Sequence, residues 1–230
     1  MRRQLQWSIA LAAMGCSNLP SASGGIVALE VRLASPAALE QNDTLTLLAQ
    51  ALDENGDSVA ATVYWRTLDD TLVTLVDSIG IVTTSRTSGL PRLQAHVGSL
   101  RSDIVTLTIR PRSDTLALTV ADTITVPAGD NASDTLGAAV RSNNPAGGVA
   151  GTSILFEVTD TVAAKGKFEF SNGLLAFRAT TGSDGTPATA VTLRKIGVAQ
   201  PATVQVRVSA KRPSLAPVPG SGQLFTILVQ

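Results

Sequence analysis

The chain has 230 residues, with 18 basic and 18 acidic side chains and a formal net charge of zero. A balanced charge with no Lys/Arg stripe excludes nucleic acid and anionic membrane surfaces as electrostatic partners. One cysteine, Cys16, excludes an internal disulfide, and the 3 % aromatic content beside abundant Val, Leu, Thr and Ala favours pleated, half-buried strands.

The first residues read as a leader. Arg2 and Arg3 form a basic n-region, and the apolar run Trp7 to Gly15 follows. That run is about half of the ~20 residues that span a bilayer. A basic start, a short apolar run and small residues before a cut mark a secretory signal over 1–15. The stretch Ala13-Met14-Gly15-Cys16 resembles the processing motif of bacterial lipoproteins, with Ala13 in the place of the family's Leu. The resemblance implies export, cleavage before Cys16 and a diacylglycerol thioether on its sulfur. Two or three acyl chains give stable anchoring where one gives only marginal binding. Loss of Arg2 and Arg3 leaves the mature chain with two more acidic than basic residues.

Residues 16–25 continue from the lipidated cysteine as a polar, small, Pro/Gly-containing tether (Ser17 to Gly25). Beyond it the dominant signal is period-2 alternation, the mark of a strand with one buried face. Val27, Leu29, Val31 and Leu33 form the first such run; Leu45, Leu47, Ala49 and Ala51 form the next. Val63 and Trp65, then Leu93, Ala95 and Val97, then Val105, Leu107 and Ile109 follow. Turn signals at Asp53 to Asp57, Asp77 to Gly80 and Ser88 to Pro91 separate them. This spacing predicts a β-sandwich over 26–111, with Trp65 filling the space between its sheets.

After Pro111 the pattern restarts. Leu116 and Leu118, Leu136 to Val140, Ile154 to Val158, Val204 to Val208 and Phe225 to Val229 alternate again. Asn172-Gly173, between Phe168/Phe170 and Leu175/Phe177, is a strong hairpin signal. A second sandwich is expected over 112–230, with Phe156 in its core. The join Arg110 to Asp114 is short and contains Pro111, so a semi-rigid rod is expected. No stretch beyond the leader carries a 3.6-residue apolar stripe, and helix content should be low.

The first sandwich resembles the bacterial immunoglobulin-like domains of group 2, on three stretches. These are Val63-Tyr64-Trp65, Leu72 to Asp77, and Gly80-Ile81-Val82-Thr83, with Gly89, Leu93 and Ala95 continuing the pattern. The second is similar to the group 1 domains of intimin- and invasin-type adhesins. Gly147 to Gly151 leads there into Ile154-Leu155-Phe156-Glu157-Val158, and Thr181 to Gly185 precedes Ala190-Val191-Thr192-Leu193. Both resemblances imply cell-surface display, in adhesins or as spacers, and neither implies catalysis.

Chemistry-bearing residues are sparse. His96 is the sole histidine and alternates with core positions, so it is expected on the outer face, unable to form a two-His metal site. Asp53, Asn55 and Asp57 mimic the start of a calcium loop, but Gly56 falls fourth and Tyr64 twelfth where an EF-hand needs Gly sixth and Glu twelfth. A turn is the better reading, and no metal or cofactor is implied. Asp130 and Asp134 form a second acidic loop. Asp69 and Asp70 are neighbours, which point to opposite faces on a strand and make no acid/base pair. The segment Lys211 to Gly222 reads as an exposed loop before the last strand.

The sequence therefore leads to an all-β chain of two tandem immunoglobulin-like sandwiches behind a signal peptide and tether. The function expected is non-catalytic: adhesion, spacing or binding at the cell envelope, by resemblance at the outer membrane. Its partners would be the membrane, through Cys16, and a protein or glycan ligand. The alternative is a periplasmic accessory or carbohydrate-associated module that positions another protein.

Overall fold

A computed structural model describes residues 25–33, 37–160, 164–197 and 201–230. The leader, Cys16 and the tether up to Gly24 lie outside the described residues. Every regular element described is a strand, and the strands form two β-sandwiches in tandem.

In the first sandwich Ala28–Arg32 pairs antiparallel with Leu48–Leu52, which also pairs with Ser58–Val59. Thr44–Thr46 and Thr74–Val76 flank Ile81–Thr83. Arg92–Val97 collects Tyr64–Thr67, Leu100–Arg101 and Val105–Thr106. Thr108–Arg110 runs parallel to Ala38–Glu40. The core between these sheets is built from Leu39, Leu47, Trp65, Val82, Leu93, Leu107 and Ile109 among others.

Two of the alternating runs do something that alternation alone does not predict. Leu45 to Ala51 is a single apolar pattern, yet it splits into Thr44–Thr46 and Leu48–Leu52, which belong to different sheets. The buried Leu47 marks the crossing, and its N–H donates to the Gly80 carbonyl at 2.8 Å. Val105 to Ile109 splits in the same way at Leu107, whose N–H donates to Pro91 O at 3.0 Å. A chain changing sheets keeps its inward side chains inward, so the period-2 signal persists while the hydrogen-bond partner changes.

The second sandwich has a five-stranded sheet. Its order is Thr123–Val126, Gln223–Val229, Ala202–Ala210, Ser153–Val158 and Ala176–Thr180. Thr115–Leu118, Ala138–Asn143 and Ala146–Gly148 form a three-stranded sheet, and Phe168–Phe170 pairs with Leu193–Lys195. Along Ala202–Ala210, Val204, Val206 and Val208 are buried while Thr203, Gln205 and Arg207 are exposed. Phe156, Phe170 and Phe225 are fully buried in the core. The Asn172-Gly173 turn forms, with Gly173 at φ 75°. Its flanking strands do not pair with each other, however: Phe168–Phe170 joins Leu193–Lys195, while Ala176–Thr180 joins the five-stranded sheet. The turn is a corner between sheets, closed by Asn172 Nδ2 donating to Ala176 O at 2.9 Å.

Trp65 shows how closely the first core is fitted. It is 3 % exposed, and Gly80 sits against it at φ 66°. A Cβ on Gly80 would lie 2.7 Å from Trp65 Nε1 and 2.8 Å from Leu47 O. Gly80→Ala therefore combines a left-handed backbone with a clash against backbone oxygen. Trp65→Ala and Phe156→Ala should each lower stability by about 3–5 kcal/mol. Gly80→Ala should also destabilise, and urea denaturation of each variant checks all three.

Candidate functional site

The densest polar constellation lies where the two sandwiches meet. The short strand Ala38–Glu40 is buried along its whole length, which carries Glu40 inward with its side chain 0 % exposed. Thr108–Arg110 pairs in parallel beside it and sets Arg110 opposite Glu40. Pro111–Asp114 then leads into the second sandwich, bringing Ser113 back against the same carboxylate.

Glu40 accepts three hydrogen bonds and faces a second guanidinium. Its Oε1 accepts from Arg110 Nη2 at 2.9 Å and from the Ser113 hydroxyl at 2.7 Å. Its Oε2 accepts from the Ser113 N–H at 3.0 Å and faces Arg212 Nε at 3.6 Å, an ion pair rather than a hydrogen bond. Arg212 donates from Nε and Nη2 to Ser113 O at 3.0 and 2.8 Å. Arg110 Nη1 reaches Ala150 O at 3.3 Å, and the Thr152 hydroxyl lies 3.4 Å from Ser113 Oγ. Outside this cluster Ser214 donates to Asp43 Oδ2 at 2.7 Å. The first sandwich thus supplies Glu40, Asp43 and Arg110; the second supplies Ser113, Ala150, Thr152, Arg212 and Ser214.

Arg212 and Ser214 come from the loop expected to be simply exposed. It is folded on itself by Arg212 N–H to Ala216 O at 2.8 Å and docks against the first sandwich. Its tip, Leu215, has φ 68° and is 70 % exposed, an uncommon conformation for a bulky residue. Beside it a groove of about 310 Å³ is lined by Arg32, Leu33, Leu48, Pro213 and Leu215 among others.

Chemically the joint is a lock rather than a reaction centre. It buries one carboxylate, two guanidiniums and two hydroxyls that turn most of their oxygens and hydrogens on one another, with Arg110 Nε buried there without a partner. Another groove, of about 350 Å³, lies at Thr159, Asp160, Lys167, Phe168 and Gln205, and Asp160 is the one carboxylate among its lining residues.

The residues singled out from the sequence lie elsewhere. Trp65 and Phe156 are in the two cores, Phe156 at 0 % exposure. Asp53 Oδ1 accepts from the N–H groups of Asn55 and Asp57, both at 2.9 Å, so this carboxylate closes a turn. Among the described residues no group of three His, Cys, Asp or Glu is placed to hold a metal ion. Asp69 accepts from the Arg92 guanidinium and backbone N–H, and those bonds hold its carboxyl below its ordinary range. His96 lies half-buried on the outer side, its ring 5.9 Å from that of Tyr64 and its Nδ1 buried without a partner. Sequence reasoning missed the joint altogether. The available signal was weak: Glu40 ends a three-residue apolar stretch, and Arg110 ends an alternating strand directly before Pro111.

No family model matches the chain, and no curated protein matches it. Several solved structures are similar at low identity. Domains 4 and 5 of the S-layer protein SbsC are 13 % identical, with 89 % of this chain and 98 % of that one covered and a TM-score of 0.33. The Yersinia pseudotuberculosis adhesin InvE is 18 % identical, with 90 % and 60 % covered and a TM-score of 0.38. The fibronectin(III)-like modules of Clostridium thermocellum CbhA are 15 % identical, with 87 % and 93 % covered and a TM-score of 0.36.

Two outcomes are expected from this geometry. Glu40→Ala leaves Arg110 and Arg212 without their counter-charge and should destabilise by about 3–5 kcal/mol in urea denaturation. Replacing Glu40, Arg110 and Arg212 together by Leu, Met and Met should recover most of that loss. His96 is held below its ordinary pKa by burial first, then by the Arg101 and Arg66 charges. Between that lowered value and the unfolded value of about 6.5, the unfolded chain binds more protons, so stability rises with pH across the window. The melting temperature should therefore fall as pH drops below about 6.5, and His96→Gln should remove that component.

Proposed function

We propose that the chain is a non-catalytic, lipid-anchored protein of the cell envelope. Its two immunoglobulin-like sandwiches, of the group 2 and group 1 kinds, act as a semi-rigid spacer that holds a binding surface away from the membrane. The observation that carries the spacer reading is the buried Glu40–Arg110–Arg212 cluster across the join. A flexible linker would leave the two modules free to rotate. Here any rotation breaks directional bonds to a carboxylate already removed from water, which leaves charge buried and unpaired. The connector from Pro111 to Asp114 is too short to let the modules separate while those bonds hold. The anchor reading rests on Arg2, Arg3, the Trp7 to Gly15 run and the Gly15-Cys16 junction. The outer membrane is the location this reading favours.

Mass spectrometry of the membrane-extracted protein should show a mature chain beginning at a diacylated Cys16, and Cys16→Ser should release it from the membrane fraction. An unmodified Cys16 would sink the anchor. Protease added to whole cells should remove the sandwiches; protection would place them in the periplasm and favour an accessory role.

A further inference from the structure

We infer that the outward face of the five-stranded sheet carries a binding site for an acidic polysaccharide, taken through sugar carboxylates by Arg178 and Lys211. This rests on the reading of the chain as a binding module, not on its lipid anchor.

The register builds the site. Leu155 lies opposite Arg178 on one side and Ser209 on the other, so the three side chains form one row across three strands. Ser153 lies opposite Thr180, and one further step of the other register sets it opposite Lys211, giving a second row on the same face. Between the rows is a groove of about 180 Å³ lined by Ser153, Leu155, Arg178, Ser209, Ala210 and Lys211. Arg178 and Lys211 are exposed, and among the described residues no carboxylate lies within ion-pair distance of either. The carboxylate on this part of the face, Glu157, lies one row on, opposite Arg207.

Each part matches an acidic sugar. Leu155 gives an apolar floor for the C–H face of a ring. The hydroxyls of Ser153 and Ser209 have no protein partner among the described residues, and each can both donate and accept, as sugar hydroxyls require. Arg178 offers a planar fork that pairs with a carboxylate in two parallel bonds, while Lys211 offers a point charge. The strands that carry the two cations are about 10 Å apart across the sheet. That spacing suits charges repeated along a polymer better than one compact oxyanion.

The test uses the full chain in detergent micelles, with oligogalacturonate as probe. Chemical-shift changes should concentrate on Arg178, Ser209 and Lys211, and free galacturonate should move the same signals more weakly. Arg178→Gln with Lys211→Gln should weaken oligogalacturonate binding by about ten-fold or more, while Arg207→Gln should leave it close to unchanged. Neutral dextran should not bind. The site is overturned if oligogalacturonate does not bind, if the double variant binds it as well as the parent, or if inorganic phosphate moves the same signals as strongly. Any of those results with a lipidated Cys16 in place would remove this site and leave the anchored-spacer reading standing.

Discussion

A single buried carboxylate governs how the two halves of this protein meet. Removing Glu40 from water carries a penalty of several kcal/mol, and attraction to nearby cations offsets it only when geometry is good and remaining lone pairs are filled. Glu40 meets most of these demands: two guanidiniums approach it, and the hydroxyl and N–H of Ser113 take two further lone pairs. The partners come from both sides of the join, so the carboxylate is satisfied in one mutual arrangement of the sandwiches. Apolar packing of equal volume could stabilise the contact as well. In the proposed spacer, the directional bonds supply orientation.

The cores on either side are arranged to bring those partners to the join. Ala38–Glu40 and Thr108–Arg110 pair in parallel at the edge of the first sandwich, which puts Glu40 and Arg110 side by side at its end. The connector is short, so the second sandwich begins within a few residues of the first one's last strand. The loop carrying Arg212 and Ser214 then folds back from the long pair Ala202–Ala210 and Gln223–Val229 to complete the contact. Packing within each sandwich is tight where turns meet the core, as at Gly80 beneath the Trp65 indole. A backbone that approaches an indole so closely has room for hydrogen but not for a methyl group.

Much of this was legible in the residues. Val204 to Val208 and Phe225 to Val229 alternate without interruption, and each forms one long strand with the expected faces buried. Gly56 and Gly80 sit in two of the expected turns and have positive φ. Other signals were read correctly as local structure but wrongly as pairing. Leu47 and Leu107 sit inside unbroken apolar patterns and yet mark points where the chain changes sheets. Asn172-Gly173 makes its turn and then sends the strands apart. Alternation reports which side of a strand is buried; it carries no information about which neighbour the backbone bonds to.

The sequence by itself determined the class: all-β, two tandem sandwiches, Trp65 and Phe156 inward, polar residues outward. It could do so because burial of alternate side chains is a local periodicity, written along the chain. The join, the docked loop at Arg212 to Ala216 and the row of Arg178, Leu155 and Ser209 across three strands were decided only by the tertiary structure. Glu40 and Arg212 are 172 positions apart in the chain, and nothing near either one marks the other. A charge is recognisable as buried only once the fold has closed around it.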